Sequence, residues 1–245
     1  MAKSSKKEVG TILTGKTYAL PVIQEINKFV SFCDNEILPV VPQLERMRSA
    51  RVHLQKLVYA HVVDKFDLLV DQMLLWSATH LEVARGEILL AMSNTPITTK
   101  RVYELFLSGL QARELIEEEI VENSRVEYSK DNHENKVRKL TDYVHWAEAT
   151  KQLRVNTNGK ISDKPLKRTS IQKNTPSSVV GFAYYLFARR SGISHGDSRK
   201  FTEKDKVAME KNYHIKLTSF IIKPASIKTA VTFYKGFLEH VKDRF

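Results

Sequence analysis

The sequence predicts an all-α protein, a bundle of six or seven helices with one long basic loop. Apolar residues recur at spacings of three and four over most of the 245 residues, which is the period of an amphipathic helix. Hydrophobic residues make up 42% of the chain, enough for a sizeable packed core. We therefore expect a single helical domain over residues 19–245, preceded by a flexible polar tail over residues 1–18.

Prolines and an uninterrupted apolar pattern define the first predicted helices. Pro21 occupies a first-turn position. Pro39 and Pro42 are expected to end this first helix, because proline lacks a backbone donor. Helical spacing then continues over residues 43–92. One helix of about 50 residues is atypical of globular proteins, so we expect a break near residues 77–79.

Capping hydroxyls and polar segments divide the middle of the chain. Thr98 or Thr99 precedes the next apolar periodicity and predicts a helix start. Residues 123–133 are polar and predict a loop. Apolar spacing over residues 134–153 predicts another helix.

The second half contains the predicted basic loop, residues 154–178, which is rich in Asn, Ser, Thr, Lys and Pro. Thr175, Pro176 and Ser177 at its end predict the start of a helix that contains the apolar run 179–187. Thr202 and Ser226 are expected to cap the last two helices. This half therefore contributes one long loop and three helices.

Charge is distributed unevenly between the two parts of the chain. Residues 1–150 hold 19 Lys and Arg against 21 Asp and Glu, a net charge of −2. Residues 151–245 hold 20 against 7, a net charge of +13, and the two parts sum to +11. The asymmetry favours a surface that binds a polyanion. The alternative is an ordinary solvated surface.

Several classes of protein are excluded or disfavoured. The apolar runs are too short and too interrupted by charge for a transmembrane helix, and no signal peptide follows Met1, so we expect a cytoplasmic protein. Cys33 is the only cysteine, which excludes an internal disulfide, and we expect it in the core. Neither a nucleophile elbow nor a Walker loop is present. His53 and His61 lack a third ligand, so neither a metal nor a cofactor is expected.

Arg190 and His195 are the residues for which the sequence indicates a catalytic role. Histidine transfers protons near neutral pH and arginine binds phosphate oxygens, so together they suffice for RNA cleavage without a metal. Residues five apart on a regular helix are about 140° apart. The two side chains therefore converge only if the helix ends or bends between them, which Ser191 and Gly192 would allow. The alternative is a basic helix end with His195 as a cap.

The stretch Arg190-Ser191-Gly192-Ile193-Ser194-His195-Gly196 resembles the Arg-polar-three-His motif of the HEPN superfamily. The family usually has Asn, Asp or His after the arginine, where this chain has Ser191. Residues 59–66 resemble the family's early helix, in which an acid two residues before an aromatic faces the active-site arginine. Asp64 matches that acid, with Asp67 as a rival on the next turn.

The resemblance implies a helical protein that dimerises and has a composite site where two motif helices meet. Many HEPN proteins are metal-independent ribonucleases in toxin–antitoxin and antiphage defence systems, whereas others bind nucleotides or act as scaffolds. It implies a homodimeric endoribonuclease, with RNA as substrate and an antitoxin or defence-system protein as partner. By the same resemblance, His195 is the general acid/base, Arg190 the phosphate clamp, Ser191 an orienting polar group and Arg189 a second clamp.

Charge alone, and not the resemblance, nominates further contacts to the RNA backbone. These candidates lie in the basic loop or just after the motif: Lys164, Lys167, Arg168, Lys173, Arg199 and Lys200. The alternative function is a non-catalytic helical module that binds nucleic acid or a partner protein through the basic second half.

Overall fold

The computed structural model describes residues 20–47, 51–93, 98–164, 175–194, 200–242 and 245, which are mostly helical. The all-α class is thereby confirmed. The described residues form eleven α-helices: α1 (Leu20–Phe32), α2 (Val40–Arg46), α3 (Arg51–His80), α4 (Glu82–Ser93), α5 (Thr99–Ser108), α6 (Ala112–Lys130), α7 (His133–Tyr143), α8 (Ala147–Gln152), α9 (Val179–Ser194), α10 (Glu203–Tyr213) and α11 (Pro224–Lys242). This exceeds the expected six or seven, mainly because stretches predicted as continuous are divided. The tail over residues 1–18 lies outside the described residues.

The first helical segment ends just before Pro39, and the two prolines lie at the start of the next helix. A π-helical turn, Cys33–Ile37, continues α1. Pro39 then precedes α2, and Pro42 lies in its first turn. Backbone N–H groups in a first turn have no intrahelical acceptor, so a proline there removes no hydrogen bond. The expected end of the first helix at Pro39 is therefore confirmed, whereas Pro42 lies inside the next helix.

The long apolar stretch is divided at two places. Met47 has extended backbone angles directly after α2, a break that the pattern did not indicate. Leu81 separates α3 from α4, slightly later than the break expected near residues 77–79. The Leu81 N–H still donates to the Ser77 carbonyl at 2.8 Å, so helical hydrogen bonding is nearly continuous through this joint.

Two other predictions for the middle of the chain are wrong. Residues 123–133 are mostly the last turns of α6 and not a loop, since Ile120 and Tyr128 are buried and give this polar helix an inward face. The expected helix over residues 134–153 is divided into α7 and α8, and His145 between them has a φ of +53°. A left-handed residue cannot continue an α-helix.

The predicted caps are confirmed at two helices and displaced at two others. The Thr98 and Thr202 hydroxyls each accept a hydrogen bond from the backbone N–H three residues ahead. α9 begins later than predicted, after Ser178, whose hydroxyl accepts from the Gly181 N–H. α11 begins two residues before the predicted cap, Ser226.

The predicted basic loop contains a short hairpin. Arg154–Val155 pairs antiparallel with Ile161–Ser162, across a turn in which Gly159 has a φ of +81°. The Val155 N–H also donates to the Ser177 carbonyl at 2.7 Å, which fixes the start of the loop beside its end. Residues 165–174 lie outside the described residues.

Helix α3 is the centre of the core. It packs against α1, α4, α6, α7, α9 and α11. Tyr59 and Phe66 on α3 are completely buried, and the Phe66 ring stacks on Tyr234 of α11 at 3.9 Å. The Tyr59 hydroxyl donates to the Leu186 carbonyl at 2.9 Å, which fixes α9 along α3. Burial of each such side chain contributes about 1.5–3 kcal/mol.

The apolar run of α9 is used by this core, with Phe182, Ala183 and Leu186 fully buried. The helix has 16 residues and ends with two arginines close to its C-terminus. Across the described residues, no helix combines the length and apolar content needed to cross a bilayer.

Gly192 permits a close approach between α9 and its neighbours. The helix is expected to end or bend between Arg190 and His195: α9 continues without a break through residues 191–192 and ends at Ser194. A Cβ atom at Gly192 would lie 2.4 Å from the Lys200 carbonyl oxygen and 2.9 Å from the Phe220 ring. The absence of a side chain, and not backbone flexibility, explains this glycine.

Gly192→Ala is expected to lower the free energy of unfolding by about 1–3 kcal/mol, because the methyl group overlaps a backbone carbonyl. Gly86→Ala in α4 is the matched control, since nothing lies within 4 Å of its Cβ position. That control should raise stability by about 0.5–1 kcal/mol. Urea denaturation measures both, and equal effects would contradict the packing role of Gly192.

Candidate active site at the end of α9

Arg190 and Asp64 form an ion pair between α9 and α3. Arg190 Nε lies 2.5 Å from Asp64 Oδ1, and the two side chains are 32% and 44% exposed. Nε makes no correctly oriented hydrogen bond, so the contact is mainly electrostatic. Partial exposure leaves the guanidinium accessible to a ligand. The structure thus brings together the arginine and the acid that the sequence nominated.

The packing of α9 on α3 determines where Arg190 lies. Phe187 precedes Arg190 by one helical turn, and the Arg190 guanidinium carbon lies 5.9 Å from the centre of the Phe187 ring. At the helix end, the Ser194 hydroxyl donates to the Arg190 carbonyl at 3.3 Å. Ser191 is half-buried next to Arg190. His195 follows the last residue of α9 but lies outside the described residues, so its catalytic role stays a prediction.

Asp67, the rival acid, binds His133 of α7 and not Arg190. His133 Nδ1 lies 2.6 Å from Asp67 Oδ1, so the imidazole N–H donates to the carboxylate. Lys136 Nζ lies 3.6 Å from the other carboxylate oxygen. Burial alone raises the pKa of Asp67, but the hydrogen bond from His133 and the positive charges of His133 and Lys136 outweigh it. The pKa of this carboxyl group is therefore lowered.

Sequence reasoning missed His133, Lys136 and Asp71, which extend this polar cluster. Lys136 Nζ lies 2.7 Å from Asp71 Oδ1. Burial raises the pKa of the Asp71 carboxyl group, although the nearby lysine opposes this change. His133 has a fully buried side chain, and its ring stacks parallel to Phe187 at 4.6 Å. Asp64, Asp67 and Asp71 are spaced by three and four residues, so they share one side of α3. This spacing was the signal available in the sequence.

Arg189 lies in the interior and does not fit the predicted second clamp. The residue is 7% exposed, and one terminal nitrogen donates to the Ile221 carbonyl at 3.0 Å and to the Ser226 hydroxyl at 3.1 Å. Its guanidinium carbon lies 5.2–5.6 Å from three aromatic rings, those of Tyr59, Tyr185 and Phe220. Arg189 therefore joins α9 to the segment before α11. Because it is buried, it is not a candidate for contact with RNA.

The structure describes two of the nominated backbone contacts. Lys164 and Lys200 are both exposed. The remaining candidates lie outside the described residues: Lys167, Arg168, Lys173 and Arg199. Sequence reasoning did not nominate five other exposed lysines of the second half, which make no ion pair within the described part of the chain: Lys160, Lys204, Lys211, Lys216 and Lys223.

The described residues give little support for a metal site or for a cysteine nucleophile. Among them, no three or more His, Cys, Asp or Glu side chains are grouped as a metal site would require. Cys33 is completely buried, as expected, and burial raises the pKa of its thiol to about 12. A thiol with this pKa is not a nucleophile at neutral pH.

Comparison with known proteins identifies no relative: no family model, no curated protein and no solved structure matches this chain. The functional argument therefore depends on the residues of the chain and their geometry.

The adjacent arginines should differ in their effect on stability. Arg189→Ala is expected to lower the free energy of unfolding by about 2–4 kcal/mol, because it removes two part-buried hydrogen bonds and a buried side chain packed among three aromatic rings. Arg190→Ala should cost less than about 1 kcal/mol, since it removes only a partly exposed ion pair. Urea denaturation of both variants tests the assignment, and a larger loss for Arg190→Ala would contradict it.

The Asp67–His133 pair predicts a dependence of stability on pH. Asp67→Asn should lower the free energy of unfolding by about 1–3 kcal/mol at pH 7, where the carboxylate is ionised in both states. Because the folded-state pKa is lowered, this contribution is present above the ordinary pKa of about 3.9. It is lost as the pH falls through the lower folded-state pKa.

Denaturation of parent and variant from pH 7 downward measures this difference. Asp163→Asn, which changes an exposed carboxylate, is the control. A cost of Asp67→Asn that stays constant down to acid unfolding would contradict the pair's contribution.

Proposed function

We propose that this protein is a metal-independent endoribonuclease of HEPN type that acts in a toxin–antitoxin or antiphage defence system. The observation that carries the proposal is the Arg190–Asp64 ion pair, partly exposed near the end of α9. Arg190 is five positions before His195, as in the motif that the sequence resembles. The net charge of +13 over residues 151–245 further supports an anionic substrate.

In the proposed reaction, His195 accepts the proton of a ribose 2′-hydroxyl, whose oxygen attacks the adjacent phosphorus. The bond from phosphorus to the 5′-oxygen breaks, and a protonated histidine supplies the proton to that oxygen. The products are a 2′,3′-cyclic phosphate and a 5′-hydroxyl. Arg190 stabilises the negative charge that develops on phosphorus. Asp64 holds its Nε edge, which leaves the terminal nitrogens for phosphate.

The proposal includes a dimer, because the reaction needs both a base and an acid. One chain supplies a single histidine in the motif, whereas two motif helices that meet at a two-fold axis supply one for each role. A controlling partner, an antitoxin or a defence-system protein, is also part of the proposal, since an unregulated ribonuclease would damage its own cell.

Cleavage of single-stranded RNA in EDTA by the purified protein tests this function. Arg190→Ala and His195→Ala should each lower the rate at least about 100-fold, because each removes a group that acts in the transition state. Arg125→Ala and His53→Ala are matched controls, since both residues are exposed and neither belongs to the motif. Product analysis should find 2′,3′-cyclic phosphate ends, and sedimentation should find a dimer.

Cleavage that persists in both motif variants would exclude this site. If the parent binds RNA in a salt-sensitive manner and does not cut it, the non-catalytic module is favoured. The exposed lysines of α10 and the segment after it are the observation that supports this second candidate. Growth also separates the two, because a ribonuclease should be poorly tolerated on expression and its His195→Ala variant tolerated.

A further inference from the structure

One stripe of α3 remains at the surface beside the Arg190–Asp64 pair. It includes His61, Asp64, Lys65 and Leu68, which recur at helical spacing and are exposed or partly exposed. Arg190 of α9 borders the stripe at Asp64. Helix α1 borders its other side. The candidate active site and the surface of α1 therefore lie on the two sides of this stripe of α3.

A cleft of about 360 Å³ lies between α1 and α3 along this stripe. The two helices pack antiparallel: the Phe29 ring lies 5.8 Å from Phe66, and the Phe32 ring 5.2 Å from His61. This volume is at the lower end of the range typical of small-molecule sites. The cleft is therefore large enough to hold a nucleobase.

The lining of the cleft combines apolar and cationic groups. Phe32 is partly exposed, and Leu68 is 53% exposed although it adjoins the core. Lys65 Nζ lies 5.9 Å from the centre of the Phe32 ring, and Lys65 makes no ion pair among the described residues. Of the two acids in the cleft, Glu25 is paired with Lys28 at 2.6 Å, whereas Glu36 is exposed and makes no ion pair among the described residues. Aromatic surface next to cations is the combination by which proteins hold single-stranded nucleic acid.

We propose that this cleft binds a nucleobase of single-stranded RNA, next to the phosphate that Arg190 holds. Lys65 immediately follows Asp64, and Leu68 lies three residues beyond Lys65, about 4.5 Å further along the helix axis. A strand with one phosphate at Arg190 therefore places a neighbouring base against Phe32 and Leu68, with its own phosphate near Lys65. The inference rests on the proposed function for the phosphate position, but the cleft can be tested by binding alone.

Binding is measured in EDTA with the full chain that bears His195→Ala, so that RNA stays intact. The probes are a fluorescent short oligoadenylate and an abasic oligomer with the same backbone and length. Phe32→Leu should weaken oligoadenylate binding on the order of tenfold, because it removes the stacking surface. It should leave abasic binding unchanged. Lys65→Gln should weaken the binding of both oligomers, because it removes a contact to the backbone.

Matched controls come from α5, which packs against α6 and away from the cleft. Phe106→Leu and Lys100→Gln make the same chemical changes at residues that are 80% exposed and, for the lysine side chain, 86% exposed. Both should bind as the parent does. Leu68→Ser is a second variant of the cleft, and because Leu68 is exposed it should weaken oligoadenylate binding without loss of fold.

Oligoadenylate binding that is unchanged in Phe32→Leu and Leu68→Ser would overturn the proposal. Equal affinity of the parent for both oligomers, or no affinity for either, would also overturn it. The proposed ribonuclease activity is assessed separately from binding in the cleft. If Phe32→Leu weakens binding but the unmutated protein cuts no RNA, the cleft proposal stands and the proposed function is contradicted. If the unmutated protein cuts RNA and Phe32→Leu binds oligoadenylate normally, the proposed function stands and only the cleft proposal is contradicted.

Discussion

The burial of α3 is the constraint on which the rest of the structure depends. Helices contact this 30-residue helix on most sides, so almost every apolar residue between Tyr59 and Leu74 lies in the core. A helix that is buried on most sides has few positions for polar side chains. The three aspartates of α3 are each paired with a basic side chain, and several other polar side chains lie at its exposed surface. The candidate site lies along the margin between these two environments.

Pairing explains how three carboxylates are tolerated on one side of a central helix. Asp64 meets Arg190, Asp67 meets His133, and Asp71 meets Lys136. A buried carboxylate without a partner would be strongly destabilising. The opposite directions of the pKa changes at Asp67 and Asp71 follow from how well hydrogen bonds and nearby charges compensate for burial. These pairs also join α3 to α7 and α9 and so fix the position of Arg190.

Arg189 and Arg190 show how one helix assigns different roles to adjacent residues of the same type. Consecutive side chains point about 100° apart around a helix. Arg189 therefore points into aromatic surroundings and binds the segment before α11, whereas Arg190 reaches the partly exposed carboxylate of Asp64. Packing of α9 against α3 decides which arginine is accessible, and the same packing excludes a side chain at Gly192.

The sequence by itself determined the helical class, the cap at Thr202, the burial of Cys33 and the nomination of Arg190 with Asp64 or Asp67. These follow from local periodicity, from short-range hydrogen bonding and, for the nomination, from a motif. The structure decided for Asp64 over Asp67, and for Thr98 over Thr99 as a cap. Only the tertiary structure decided that Arg189 is buried, that His133 binds Asp67, and that a cleft lies between α1 and α3. Such facts depend on contacts between residues far apart in the chain, and no local pattern specifies which helix faces meet.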